Sequence, residues 1–484
     1  MRSTLSVAVA LVLALAGCRT VPQAGEPREF EFPFVNDYSV VNRATFRWSD
    51  TFLTNRCDVY QQDLAGPLSA LASSVYGFRM FMDVRSLYAL GFAPENMYRR
   101  YGRDIDYGSP VYGRNQVGFT IAAKRVFLDG AFRDVLFVVV RGTFGRDEWL
   151  SNMNACDSWG MGTNRVESAI PRLHEGFRLA ADAVEEALLG YVASNRVRLA
   201  TAKVVVTGHS RGAAVANILG ARLDDYASSP SGSPLSEIRR ENIYVYTYAT
   251  PNTVRAADGV EQSGRYGNIF NIINPEDIVP RVPIVRWDYR RFGRDLNLYC
   301  YDDLSLWGVW YDGAYCRMKE SFREITGYEW WHMPLGTNST AAIPSFLGAM
   351  APTVGALYSV PPGMEREPYP TTAHSIVEYA LFRTMADPAQ NEREVSLGGD
   401  VAKISEAYSS VEDPGEADAG GRYFFTPDGH DYSRQPGMLD IPWRIACMHA
   451  TQTYVSWMKA AEEYGLERVF TNPPDDGGAV SSAP

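Results

Sequence analysis

The chain has 484 residues, 46% of them hydrophobic, with a net charge of −11 and a pI near 5.2. That composition supplies a large core; the length allows two or three domains, or one unit if the fold is α/β, since such folds often run long. The acidic balance speaks against nucleic acid as a partner. No cysteine–histidine spacing suggests a zinc site and no glycine-rich fingerprint suggests a nucleotide, so neither metal nor cofactor is expected.

Arg2 is followed by an apolar stretch from Leu5 to Ala16, then Gly17 and Cys18. The stretch has the length of a signal-peptide core and is too short for a permanent membrane span. Leu15-Ala16-Gly17-Cys18 resembles the bacterial lipobox. The resemblance implies loss of residues 1–17 and acylation of Cys18. The protein would then be exported and held by lipid to a bacterial membrane, periplasmic or at the cell surface, since each buried CH₂ contributes about 0.8 kcal/mol. Residues 18–45, with Pro22, Pro27 and Pro33, read as a tether, and residues 46–465 as the folded domain.

The first strong strand is the apolar run Val135 to Val140. Arg141-Gly142-Thr143 follows it, and a glycine beside a small hydroxyl residue at a strand end can offer backbone N–H groups to an oxyanion. A second β-branched run, Lys203 to Thr207, leads into Gly208-His209-Ser210-Arg211-Gly212, and Ala213 to Leu219 then reads as a helix. Strand, G-x-S-x-G turn and helix make a nucleophile elbow, with Ser210 exposed at a helix N-terminus. Asn268 to Ile273 reads as a further strand. Asp277 lies just beyond it, at the carboxyl edge where the elbow also opens, and is the candidate to orient a base. A serine nucleophile needs a histidine, and in this order of residues it should follow the acid. Of the six histidines, His332, His374, His430 and His449 come after Asp277.

The stretch 283–370 is rich in Trp and Tyr and reads as an insert or cap. Arg286-Trp287-Asp288-Tyr289-Arg290-Arg291-Phe292 mixes cations with aromatics. Such a mix suits a lipid headgroup interface, but the favoured reading is that the aromatics pack an inserted cap against the core and the arginines form a solvated rim. Phe346 to Val360 is apolar and suits a lid over the serine. Ala402 to Ser433 looks like a loop-rich addition, Pro442 to Glu463 like a final helix on the core, and 466–484 like a disordered tail. Setting Cys18 aside leaves Cys57, Cys156, Cys300, Cys316 and Cys447, an odd number. Cys300 and Cys316 are close enough in sequence to close a small loop by a disulfide in an oxidising compartment.

Taken together, these segments resemble the class 3 lipase family of the α/β-hydrolase fold. Leu64 to Tyr76 looks like the family's N-terminal helix. Val140 to Thr143 with Asp147 to Leu150 looks like its oxyanion segment, and His174 to Phe177 like its HxGF motif. Tyr246 to Pro251 resembles YTfGsP, Asp277 to Pro280 resembles DxVP, and His374 with Tyr379 resembles the terminal histidine–tyrosine pair. The resemblance implies an α/β-hydrolase fold, with a mostly parallel central sheet flanked by helices and an aromatic-rich cap. It implies Ser210 as nucleophile, His374 as base, with His332 the runner-up, and Asp277 as its orienter. Oxyanion donors would come from the backbone of Thr143 and Arg211. Arg211 stands where the family has leucine, Ala249 where it has glycine, and the distance from Asp277 to His374 exceeds the family norm. The implied activity is carboxylic ester hydrolysis on lipids, of a triacylglycerol lipase or phospholipase A1-like kind. A short-chain esterase or thioesterase is the alternative within enzymes. An inactive surface lipoprotein that binds lipid or a partner is the alternative outside them.

Overall fold

A computed structural model of the protein describes residues 25–35, 41–101, 117–143, 148, 151–152, 172–229, 232–255, 265–277, 279–281, 289–299, 312–330 and 447–472. The chain opens with an antiparallel hairpin, β1 (Arg28–Val35) and β2 (Val41–Trp48), followed by α1 (Gln62–Ser74) and α2 (Met82–Ala89). Then come β3 (Met97–Arg100), β4 (Phe119–Leu128) and β5 (Ala131–Val140), and after them β6 (Arg172–Leu173) and α3 (Glu175–Asn195). The centre follows as β7 (Lys203–His209), α4 (Arg211–Ser228) and β8 (Ile243–Tyr248). Next are β9 (Val254–Arg255), β10 (Ile269–Ile273), β11 (Tyr289–Arg290), β12 (Arg294–Asn297) and α5 (Asp312–Thr326). The last helix is α6 (Thr451–Tyr464).

Seven strands form one sheet in the order β12-β10-β8-β7-β5-β4-β3. The five from β12 to β5 run parallel; β4 and β3 close one edge antiparallel. The β4–β5 hairpin turns through Asp129 and Gly130, both at positive φ (49° and 73°), the geometry a two-residue turn of this hand demands. Successive residues of a strand face opposite sides. Val135, Phe137, Val139, Val205, Tyr244, Tyr246 and Tyr248 therefore join a core under α1, α5, α6 and the β1–β2 hairpin. Leu136, Val138, Val140, Val204, Val206 and Val245 join the core under α3 and α4. Burial on both faces is why these strands read as unbroken apolar runs. The fold is α/β, with a mostly parallel central sheet flanked by helices.

Three boundaries differ from the sequence reading. The supposed tether 18–45 contains β1, whose Phe32 is fully buried in the core, so its described part is folded chain. The alternation of Phe30 and Phe32 with charged residues outweighs its prolines; Pro33 is accommodated in a two-stranded ribbon. The supposed cap 283–370 supplies β12, the edge strand of the central sheet, and α5, which packs Met318 and Phe322 against the core beside α6. Residues 466–472 are likewise not tail. Val469 and Phe470 are fully buried, Phe470 bridges Leu298, and the Thr471 N–H donates to the Asn297 carbonyl at 2.8 Å. The expectations for Phe346 to Val360, Ala402 to Ser433 and the segment beyond Asn472 lie outside the described residues.

Candidate active site

Sheet register sets the site. Val140 lies opposite Gly208, Gly208 opposite Thr247, and Tyr248 opposite Ile272, so the carboxyl ends of β5, β7, β8 and β10 stand level. At the end of β7 the chain turns sharply through Ser210, at φ 59° and ψ −129°, and α4 starts at the next residue. A non-glycine residue pays about 1–3 kcal/mol to hold such backbone, which persists only where packing enforces it. Packing does so here. A Cβ on Gly208 would meet the Gly212 carbonyl at 2.5 Å, and one on Gly212 would meet the Val140 oxygen at 2.3 Å. The Ser210 N–H donates to the Tyr248 carbonyl at 2.9 Å, and the Ala214 N–H to the Ser210 carbonyl at 3.0 Å.

The imidazole that meets Ser210 belongs to His449. Its Nε2 lies 2.9 Å from Ser210 Oγ, and its Nδ1 lies 2.8 Å from Asp277 Oδ2. A carboxylate only accepts, so Nδ1 carries the proton and Nε2 faces the serine hydroxyl as an acceptor. Asp277 is fully buried. Its Oδ1 accepts the Val279 N–H at 2.9 Å, and its Oδ2 also accepts the Tyr454 hydroxyl at 2.9 Å. Burial, and then the Asp277 charge, push the Tyr454 phenol well above its ordinary pKa, which keeps it a donor. The loop that carries the acid is held as well: the Asp277 N–H donates to the Asn274 carbonyl at 3.0 Å.

This arrangement corrects the assignment of the base to His374. The place between Ser210 and Asp277 is filled by His449, at the threshold of α6; His374 and the runner-up His332 lie outside the described residues. The signal that could have found it was present. His449 and Tyr454 repeat the spacing of His374 and Tyr379, and both lie within Pro442 to Glu463, the stretch read as a final helix on the core. Tyr454, Val455, Trp457 and Met458 of that helix are buried, and they carry the histidine to the sheet edge.

Thr143 and Arg211 come level at the ends of β5 and β7. Arg211 is the first residue of α4, and its side chain turns inward and is almost fully buried. Its Nη1 donates to Asn152 Oδ1 at 2.9 Å, which leaves the Asn152 amide to donate to Thr143 Oγ1 at 2.8 Å. Burial lowers the Arg211 pKa to about 10, so the group stays charged at neutral pH. His174 caps α3 through Nδ1, which accepts the Phe177 N–H at 3.4 Å, while Nε2 donates to the Asn152 carbonyl at 3.1 Å. Burial, with Arg211 nearby, holds the His174 pKa down to about 3, so it is a neutral brace. The backbone at Gly142 passes so close to its neighbours that a Cβ there would lie 1.8 Å from Tyr76 Oη.

Where it is described, the cation–aromatic run at the start of the supposed cap has its aromatics packed, Tyr289 and Phe292 being buried, but Arg291 is no solvated rim. Arg291 and Phe292 are buried, and the Arg291 guanidinium donates to the carbonyls of Thr250 and Pro280. Arg286 lies outside the described residues, as do Cys18 and Cys300; the Cys300–Cys316 pairing is therefore not described. Among the described residues no cluster of His, Cys, Asp or Glu could hold a metal ion, and no helix is long and apolar enough to cross a membrane.

Comparison with known proteins follows the same outline. Residues 137–287 match the family model "Lipase (class 3)". A secreted mono- and diacylglycerol lipase of Fusarium solani is 27% identical over 186 residues, 38% of this chain and 49% of the relative. The chain thus spans about half the length of the curated relative it matches. Among solved structures, a fungal lipase in complex with an inhibitor aligns at 17% identity over 49% of this chain and 80% of its own, with a TM-score of 0.34. A lipase from Rhizopus microsporus var. chinensis aligns at 16% identity over 49% and 76%, with a TM-score of 0.33. Over residues 137–287, the stretch that carries Ser210 and Asp277, the chain is a match to the class 3 lipase family.

Proposed function

We propose that the protein hydrolyses carboxylic esters of lipids through an acyl-enzyme. The observation that carries this reading is the His449 imidazole, 2.9 Å from Ser210 Oγ and 2.8 Å from Asp277. Ser210 Oγ attacks the ester carbonyl while His449 Nε2 takes its proton. The resulting imidazolium is stabilised by Asp277, and its proton then passes to the leaving alcohol. Water repeats the cycle on the acyl-serine, with His449 again the base. The oxyanion is held by the backbone N–H groups of Arg211 and Thr143, donors fixed before the charge develops. The Fusarium relative is named for mono- and diacylglycerols, and acylglycerols are the substrate class we assign to this chain. No step calls for a cofactor.

The test is covalent labelling by a fluorophosphonate together with turnover of nitrophenyl esters and acylglycerol dispersions of graded chain length. Ser210 should be labelled, and Ser210→Ala should lose both labelling and turnover. Well-folded wild-type protein that takes no label sinks the enzyme reading. Activity confined to short, soluble esters replaces lipase with esterase.

The lipobox-like Leu15 to Cys18 supports a second part of the proposal, an exported protein acylated at Cys18 and lipid-anchored to a bacterial membrane. Mass spectrometry of the mature N-terminus decides it; a free amino terminus downstream of Cys18 means ordinary secretion.

A further inference from the structure

His209, the residue before the nucleophile, turns its ring toward the base. Its Nε2 lies 2.9 Å from the backbone oxygen of His449, and its Nδ1 lies 2.9 Å from the Tyr76 hydroxyl. A carbonyl oxygen has no proton to give, so Nε2 carries the hydrogen and donates it. In the neutral ring Nδ1 is then an acceptor, and the Tyr76 O–H donates to it. Burial, together with the neighbouring His449, holds the His209 pKa well below the ordinary histidine value, in keeping with the neutral ring. The two imidazoles face each other at 4.8 Å between centroids.

The His449 carbonyl is one of three in a row held in this way. The Cys447 carbonyl accepts the Thr453 hydroxyl, and the Met448 carbonyl accepts the Asn274 amide at 3.0 Å. The pins come from α6 itself, from the turn after β10 and from the elbow. Only the third sits beside the reacting serine. Ser210 meets the imidazole of His449 while His209 holds its backbone, so two adjacent elbow residues grip the base at both ends.

We propose that His209 is a positioning residue that fixes the backbone of the base His449, and that the Tyr76 hydroxyl sets the His209 tautomer this requires. The inference rests on Ser210, His449 and Asp277 acting as proposed above. A base is useful only within hydrogen-bond reach of the proton it takes. A displacement of about 1 Å costs on the order of 10²-fold in rate. Without the His209 donor the His449 carbonyl loses this buried hydrogen bond, and residues 447–450 lose one of their three pins.

The experiment compares His209→Leu, His209→Gln and Tyr76→Phe in the full-length protein, by kcat and KM on a nitrophenyl ester, by the rate of fluorophosphonate labelling, and by Tm. Glutamine places an amide N–H near the position of Nε2; leucine removes the donor. His209→Leu should lower kcat and labelling about 10- to 100-fold with KM little changed, and His209→Gln should recover most of the loss. Tyr76→Phe should cost about 2- to 10-fold and stands in for His209→Leu if that variant does not fold. Turnover by His209→Leu close to wild type, His209→Gln no better than a folded His209→Leu, or Tyr76→Phe without effect overturns the inference. Ser210→Ala and His449→Ala run alongside. If either still turns over ester, the triad reading itself has failed; if both are silent, a negative result falls on the His209 inference alone.

Discussion

His449 and Asp277 stand 172 positions apart in the chain, and their side chains meet at 2.8 Å. The acid sits on a turn after β10, whose place is set by strand pairing; the base sits at the start of α6, whose place is set by packing against α1 and α5. The approach of His449 to Asp277 and Ser210 depends on how well that helix is seated.

His449→Ala should abolish ester turnover almost as completely as Ser210→Ala, by at least about 10³-fold, because the members of a triad act as a unit. His374→Ala should retain turnover. Steady-state kinetics on a soluble ester decides between them, and the reverse pattern would return the base to His374.

Asp277→Asn keeps the shape of the acid but offers an amide where His449 needs a carboxylate. The imidazole is then drawn toward the tautomer with its proton on Nε2, where it cannot take the serine proton. The expected loss in kcat is on the order of 10²- to 10⁴-fold, with the fold intact by circular dichroism. Tyr454→Phe removes one of the hydrogen bonds to Asp277 and should cost less, about 2- to 10-fold. An Asp277→Asn enzyme as active as Tyr454→Phe would mean that Asp277 does not set the tautomer.

How much of this could be read in advance depended on the range of the interactions. Lys203 to Ser210 and Asn268 to Asp277 each announce themselves locally, through apolar runs and the turn that ends them. The base does not, because His374–Tyr379 and His449–Tyr454 share one spacing, and the choice between them is made by a tertiary contact. The prolines of the N-terminal segment hid a period-2 alternation around Phe30 and Phe32. The bracing roles of His209, Tyr76 and Asn152 are not marked in the sequence, since their partners lie on other elements.

Gly142→Ala should be poorly tolerated. The added methyl would lie 1.8 Å from the Tyr76 hydroxyl and 2.8 Å from the His209 carbonyl, and overpacking of this kind costs about 1–3 kcal/mol or more. Adding Tyr76→Phe removes the nearer atom and should restore part of the lost stability, so the two substitutions should be non-additive in urea unfolding. Strictly additive effects would place the clash elsewhere.

Two buried groups set opposing pH dependences. His174 titrates near 6.5 when unfolded but only at about 3 when folded. As pH falls through that window the unfolded chain gains a proton that the folded chain refuses, and stability drops, by at most about 5 kcal/mol. His209 pulls the same way. Asp224 does the reverse: burial raises its pKa from 3.8 to about 7, so its contribution is present below 3.8 and lost as pH rises toward 7. His174→Asn, which can still cap α3, should therefore make stability fall less on acidification. Asp224→Asn should raise stability at pH 7.5 relative to pH 4.5. Urea midpoints at the two pH values check both signs.

The late position of His449 also has a consequence for synthesis. A ribosome delivers Ser210, the strands on either side of it and Asp277 long before it delivers the histidine. Until α6 emerges and docks, the nascent chain holds a serine with no partner to take its proton. Under the proposed function, chemistry on acyl esters is withheld until the residues of α6 have been made and docked, and a chain broken off before Cys447 would be inert.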